Sequence, residues 1–225
     1  MLTPEHIDYT LLKPEAGQRQ IEEHCTRAID YGFAAVCIFP QWVPLAKAIL
    51  DGTPVKVCTV IGFPFGANTR MVKSAEAAEA LEQGAAEIDM VINLGAIKSG
   101  DHRRASQEIE TVAGLVRWAG EDKVLKVILE TCLLDDSEKR DAARLAEAAG
   151  AHFVKTSTGF GPGGATVEDV RLLREAVFPQ TRIKASGGIR GLDTALALIA
   201  AGADRLGTSA GVELMQSWRS SRGIL

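Results

Sequence analysis

One phrase recurs along the chain: a helical stretch, a glycine, a small residue and then a run of apolar, β-type residues. It reads Ala28-Ile29-Asp30-Tyr31-Gly32 before 33–39, Ala80-Leu81-Glu82-Gln83-Gly84 before 85–93, Glu147-Ala148-Ala149-Gly150 before 151–157, and Ile199-Ala200-Ala201-Gly202 before 203–209. Glycine at that place suits the left-handed residue that closes a helix, so each phrase marks a helix-to-strand joint. The pattern predicts eight strands, near 6–11, 34–39, 55–62, 87–93, 124–130, 152–157, 182–186 and 204–208. Most are continuous apolar runs, as expected of strands covered on both faces and paired in parallel. Helical periodicity fills 18–31, 41–50, 69–83, 102–119, 137–149, 167–177 and 191–201. Strict alternation without a break in composition predicts an α/β fold, one closed (β/α)8 TIM barrel forming a single domain over 1–225. An open doubly wound sheet is the alternative.

Composition narrows the function classes. The 225 residues are 46% hydrophobic and 24% charged, too apolar for a disordered chain. A formal charge of −4, with the basic residues scattered, offers no electrostatic footprint for nucleic acid. No apolar run approaches the ~20 residues of a membrane helix, and Met1–Glu5 does not open a signal segment, so a cytoplasmic protein without a membrane partner is expected. Cys25, Cys37, Cys58 and Cys132 lack CxxC spacing, and His6, His24, His102 and His152 show no HxH or HExxH. No metal and no other cofactor is therefore expected, and the chemistry must be organic.

In such barrels the active site lies at the C-terminal ends of the strands, so polar residues late in apolar strands are the informative ones. Strand six carries Lys155 and Ser157 on one side, and strand seven carries Lys184 and Ser186 in the same spacing. A nearby cation and burial both favour the neutral form of an amine, which is the form that attacks a carbonyl. Two lysines on neighbouring strands therefore point to a nucleophilic lysine; the blander reading pairs each with a carboxylate. Asp89 interrupts the apolar fourth strand and shares parity with Asn93; a buried carboxylate needs a partner, so it is expected to meet a lysine as proton-transfer group or as plain counter-ion. Lys126 and Glu130 on strand five read as a structural pair. The turns Gly187-Gly188-Ile189-Arg190 and Gly207-Thr208-Ser209-Ala210-Gly211 occupy the usual phosphate position, where glycines let backbone N–H groups approach an anion. The glycine-rich segment 158–166 lacks the lysine of a P-loop and reads as a rim over the site.

With these residues in view, the chain resembles the 2-deoxyribose-5-phosphate aldolase family of class I aldolases over nearly its whole length. The matching stretches are Ile7–Lys13, Val36–Ile38, Glu87–Asn93, Lys126–Thr131, Val154–Gly159 and Ile183–Gly188. The resemblance implies reversible cleavage of 2-deoxy-D-ribose 5-phosphate to D-glyceraldehyde 3-phosphate and acetaldehyde, in deoxynucleoside breakdown. It implies Lys155 as the Schiff-base lysine, Lys184 as the neighbour that favours its neutral form, and Asp89 as the carboxylate that shuttles protons with a water. It places Asp8, Thr10, Thr158 and Gly159 near the substrate and Gly187, Gly188, Gly207, Thr208 and Ser209 at the phosphate. Phe160 departs from relatives that carry a lysine there, and the tail 217–225 lacks a terminal tyrosine, so phosphate affinity is expected to rest more on backbone groups. Cys37 matches a cysteine near the site and reads as a buried thiol. The expected partners are thus a small-molecule sugar phosphate and aldehydes, with a homodimer as the expected assembly. A barrel isomerase with a carboxylate pair and a non-enzymatic binding barrel are the rival readings.

Overall fold

The computed structural model describes residues 1–223; Ile224 and Leu225, the end of the tail without a terminal tyrosine, lie outside the described residues. Eight strands form a closed parallel barrel in chain order: β1 (Ile7–Leu11), β2 (Ala35–Ile38), β3 (Lys56–Ile61), β4 (Glu87–Val91), β5 (Val124–Ile128), β6 (Phe153–Lys155), β7 (Arg182–Ser186) and β8 (Arg205–Thr208). Pairing of β1 with β8 closes the ring and excludes the open sheet. The helices are α1 (Gln18–Tyr31), α2 (Val43–Leu50), α3 (Arg70–Glu82), α4 (Leu94–Lys98), α5 (His102–Ala119), α6 (Asp136–Ala148), α7 (Val167–Ala176), α8 (Leu192–Ala200) and α9 (Gly211–Ser221). No described helix is long and apolar enough to cross a membrane.

The strands divide their side chains between two cores. Outward residues such as Ile88, Met90, Val127, Val154, Ile183 and Leu206 pack with the inner faces of the helices in one continuous apolar shell. The barrel interior holds a small apolar wedge, Leu12, Ala35, Cys37, Cys58 and Val60, beside a set of buried charged side chains. Phe153 plugs its lower end, with the Arg182 guanidinium stacked 4.1 Å from the ring centroid.

Every strand but β7 is shorter than the apolar pattern predicts, and after β4 and β5 polar residues turn the chain. Asn93 leaves β4 to cap α4, accepting from Ala96 N at 3.0 Å. Glu130 leaves β5 with a φ of 53°, in the left-handed region. The expected strand near 152–157 keeps only Phe153–Lys155. Two helices lack a sequence signal: α4 is one turn, too short for a period, and α9 opens on Gly211 and is dominated by polar residues.

Candidate active site

The register of the barrel sets the chemistry. Lys155 pairs with Lys184 across β6 and β7, and Asp89 with Lys126 across β4 and β5, so the four side chains enter the interior from neighbouring strands. They do not meet as bare amines. Asp89 lies among them, its Oδ2 accepting from Lys155 Nζ at 2.7 Å and Lys184 Nζ at 2.8 Å, its Oδ1 from Lys126 Nζ at 2.9 Å and the Cys58 thiol at 3.2 Å. Lys184 also pairs with Asp8 at 2.5 Å, Lys126 with Glu87 at 2.5 Å, and Asp8 with Arg205 at 2.5 Å. Thus four cations (Lys126, Lys155, Lys184, Arg205) face three carboxylates (Asp8, Glu87, Asp89) inside the barrel.

This inventory fixes the protonation states. Burial alone would raise the Asp89 carboxyl, but Lys126, Lys155 and Lys184 outweigh it and hold it well below the usual carboxylate range. Burial opposes the charge on Lys184, yet Asp8 and Asp89 dominate and raise it. Burial likewise opposes the charge on Lys126, and Asp89, Cys58, Glu87 and Asp8 together overcome it. These two lysines are firmly ammonium ions. Cys37 and Cys58 approach Asp89 closely enough to form a potential metal cluster, but three ammonium groups already occupy that carboxylate and would repel a cation.

Above this charged layer opens a cavity of about 280 Å³. Of the sequence-predicted residues it brings together Thr10, Lys155, Thr158, Gly159, Gly187, Gly207, Thr208 and Ser209. Asp8, Asp89 and Lys184 lie fully buried beneath its floor, and Gly188 does not line it. Lys155 is the one member of the charged layer that reaches the cavity. Leu11, Leu12, Lys13 and Ser186 line it without having been singled out as site residues, and Phe160 is a wall rather than a missing cation. The lining includes two lysines and no carboxylate, a setting that suits an anion.

The loops are fastened around the cavity. Thr208 Oγ1 donates to the Ile189 carbonyl at 2.6 Å and accepts from Ala210 N at 3.0 Å, so its hydroxyl builds the β8 turn. Glu130 does not pair with Lys126. Its turn re-aims it at the loop after β6, where it accepts from the Thr158 hydroxyl and, at 3.2 Å, from Thr158 N. Gly164 packs against Gly187, where a Cβ would collide with the Gly187 carbonyl, and Ala165 N donates to that carbonyl at 3.1 Å. Phe160 meets Phe63 edge-on with centroids 5.2 Å apart.

Sequence reasoning missed Glu87 and Arg205, both part of the buried network. Glu87 shares parity with Asp89, which was the available signal. Arg205 opens β8 and only barrel closure shows that it faces Asp8.

Comparisons with known proteins accord with this geometry. The profile of the family described as DeoC/LacD family aldolase matches residues 7–217. Deoxyribose-phosphate aldolase of a Thermoanaerobacter species is 56% identical over 212 residues, covering 94% of this chain and 95% of that protein. Its namesake in Streptococcus pneumoniae is 54% identical over 211 residues, 94% of each chain. Among solved structures, an aldolase designated QR15 superposes with a TM-score of 0.92 at 42% identity, covering 99% of this chain and 98% of that one. Deoxyribose phosphate aldolase from Aeropyrum pernix, described as a unique tetramer, gives 0.89 at 36% identity, with 97% and 93% coverage.

Proposed function

The chain belongs to the DeoC/LacD aldolase family, and from that premise we propose that it cleaves 2-deoxy-D-ribose 5-phosphate reversibly to D-glyceraldehyde 3-phosphate and acetaldehyde through a Schiff base on Lys155. One observation carries the reading: the amine of Lys155 alone connects the buried charge network to the cavity. The neutral amine is the form of a lysine that attacks a carbonyl, and the cavity gives Lys155 access to one.

In the cleavage direction neutral Lys155 attacks C1 of the open-chain sugar and water departs, leaving an iminium. The C3 hydroxyl then gives up its proton, the C2–C3 bond breaks, and the electron pair moves onto the iminium to form an enamine. D-Glyceraldehyde 3-phosphate is released; protonation at C2 and hydrolysis return acetaldehyde and the amine. Asp89 moves these protons through a water, with Lys184 holding its carboxylate in place. Once Lys155 is neutral, Asp89 faces one cation fewer and becomes a better base. The phosphate sits among Gly187, Gly207 and Ser209, where backbone N–H groups orient the substrate. The reading includes a cytoplasmic role in deoxynucleoside breakdown and a homodimer as the assembly, the tetrameric Aeropyrum relative notwithstanding.

The test is a coupled assay for acetaldehyde released from 2-deoxyribose 5-phosphate. Wild type should turn over, and Lys155→Ala should lose turnover while keeping its far-UV circular dichroism. Near-wild-type activity in that variant would sink the assignment.

A further inference from the structure

Ser186 carries an unexplained polar group at the edge of the cavity. Its side-chain oxygen is buried and has no hydrogen-bond partner among the described residues, although the residue is only 5% exposed and lines the cavity. A buried hydroxyl left unpaired is costly, so an orphan of this kind calls for an absent partner. The backbone of Ser186 is already committed: Thr156 Oγ1 donates to its carbonyl at 3.2 Å and accepts from its N–H at 3.1 Å. That clamp fixes the residue and leaves the hydroxyl as its one uncommitted polar group. The neighbouring strand makes room for it, because Gly207 is the register partner of Ser186 and any Cβ there would strike the Ser186 oxygen.

Its level in the barrel identifies the missing partner. Lys184 is the register partner of Lys155, and Ser186 stands two residues further along β7, about 6–7 Å toward the open end. Gly187, at the expected phosphate turn, follows at once. A substrate joined to Lys155 at C1 and held by its phosphate at that turn must carry its middle carbons past Ser186. Of the hydroxyls on those carbons, the one at C3 is consumed by bond cleavage, whereas the one at C4 takes no part in the chemistry. We propose that Ser186 is a specificity-determining residue whose hydroxyl bonds the C4 hydroxyl of the sugar, which in the synthetic direction is the α-hydroxyl of the acceptor aldehyde. This inference rests on the aldolase reading.

Two isosteric acceptors, glycolaldehyde and propanal, separate the effects, because they differ only in a hydroxyl replaced by a methyl. With acetaldehyde as donor, the ratio of kcat/KM for glycolaldehyde over propanal is measured in wild type and in Ser186→Ala. The ratio should fall about fivefold in the variant, the worth of one neutral hydrogen bond, and Tm should hold or rise because an unpaired buried hydroxyl is removed. An unchanged ratio, or equal loss on both acceptors with a lowered Tm, overturns the role of Ser186. Wild type that joins acetaldehyde to neither acceptor overturns the aldolase reading and Ser186 with it.

Discussion

Asp89 accepts hydrogen bonds from three ammonium groups, and its basicity depends on how many of them are charged. Held well below the usual carboxylate range by Lys126, Lys155 and Lys184 against the opposing effect of burial, it is a poor base in the resting state. In the proposed mechanism it becomes competent once Lys155 is neutral or carried as an enamine. Asp89→Asn keeps the shape and removes the proton-accepting charge; its turnover should fall about 10²–10⁴-fold, the usual worth of a positioned acid or base. Formation of the imine should suffer less than proton exchange at C2 of the enamine, which deuterium uptake into acetaldehyde measures. Equal loss in both would place Asp89 in an earlier step. A carboxylate in an apolar strand and two lysines at strand ends drew attention to Asp89, Lys155 and Lys184 in the sequence, and the barrel brings the three side chains together. The sequence placed Ser186 on the side of Lys184 but gave it no role, because a strand-end serine is unremarkable until its missing partner is visible.

Helix α1 docks on β1 through one aromatic pair. His24 stacks on Tyr9 at 3.9 Å, and its Nε2 lies 3.0 Å from the Tyr9 carbonyl. Burial, opposed by that hydrogen bond, pushes His24 down to about 4 from an ordinary 6.5. The unfolded chain therefore takes up this proton first as pH falls. Stability is fully present above 6.5 and is lost between there and 4, by about 3 kcal/mol. Thermal melts from pH 7.5 to 4.5 should show a decline that His24→Gln flattens; an equal slope in both proteins would remove His24 as its source. Elements with a long period or a glycine stop were legible in the sequence, α1 and α5 among them. The places where it failed are junctions: Glu130 and Asn93 continue apolar runs on paper, yet their side chains are recruited to Thr158 and to the N-terminus of α4. Such long-range and capping bonds override strand propensity.

The barrel as a whole encloses a nearly balanced set of charges, sealed below by Phe153 and open above through Lys155. Lys126 is fully buried and does not line the cavity, and it pairs with Glu87, Asp89 and Asp8. Lys126→Met removes the buried ion-pair partner of Glu87 and of Asp89 Oδ1 and should cost about 3–5 kcal/mol in urea unfolding at neutral pH. The deficit should shrink as pH falls and the carboxylates take up protons; a deficit independent of pH would indicate a packing effect instead. The eight-stranded alternation was readable from glycine joints and apolar runs, but the interior was not. Glu87, Lys126 and Arg205 come together only through closure of β8 onto β1 and the registers of β4, β5, β7 and β8, relations that no local pattern contains. Of the charged side chains in that interior, Lys155 is the one that reaches the cavity. Borohydride reduction in the presence of acetaldehyde, followed by peptide mass mapping, should leave an N-ethyl group on Lys155; a folded protein with no adduct, or an adduct on Lys13 or Lys184 instead, would contradict the Schiff-base account.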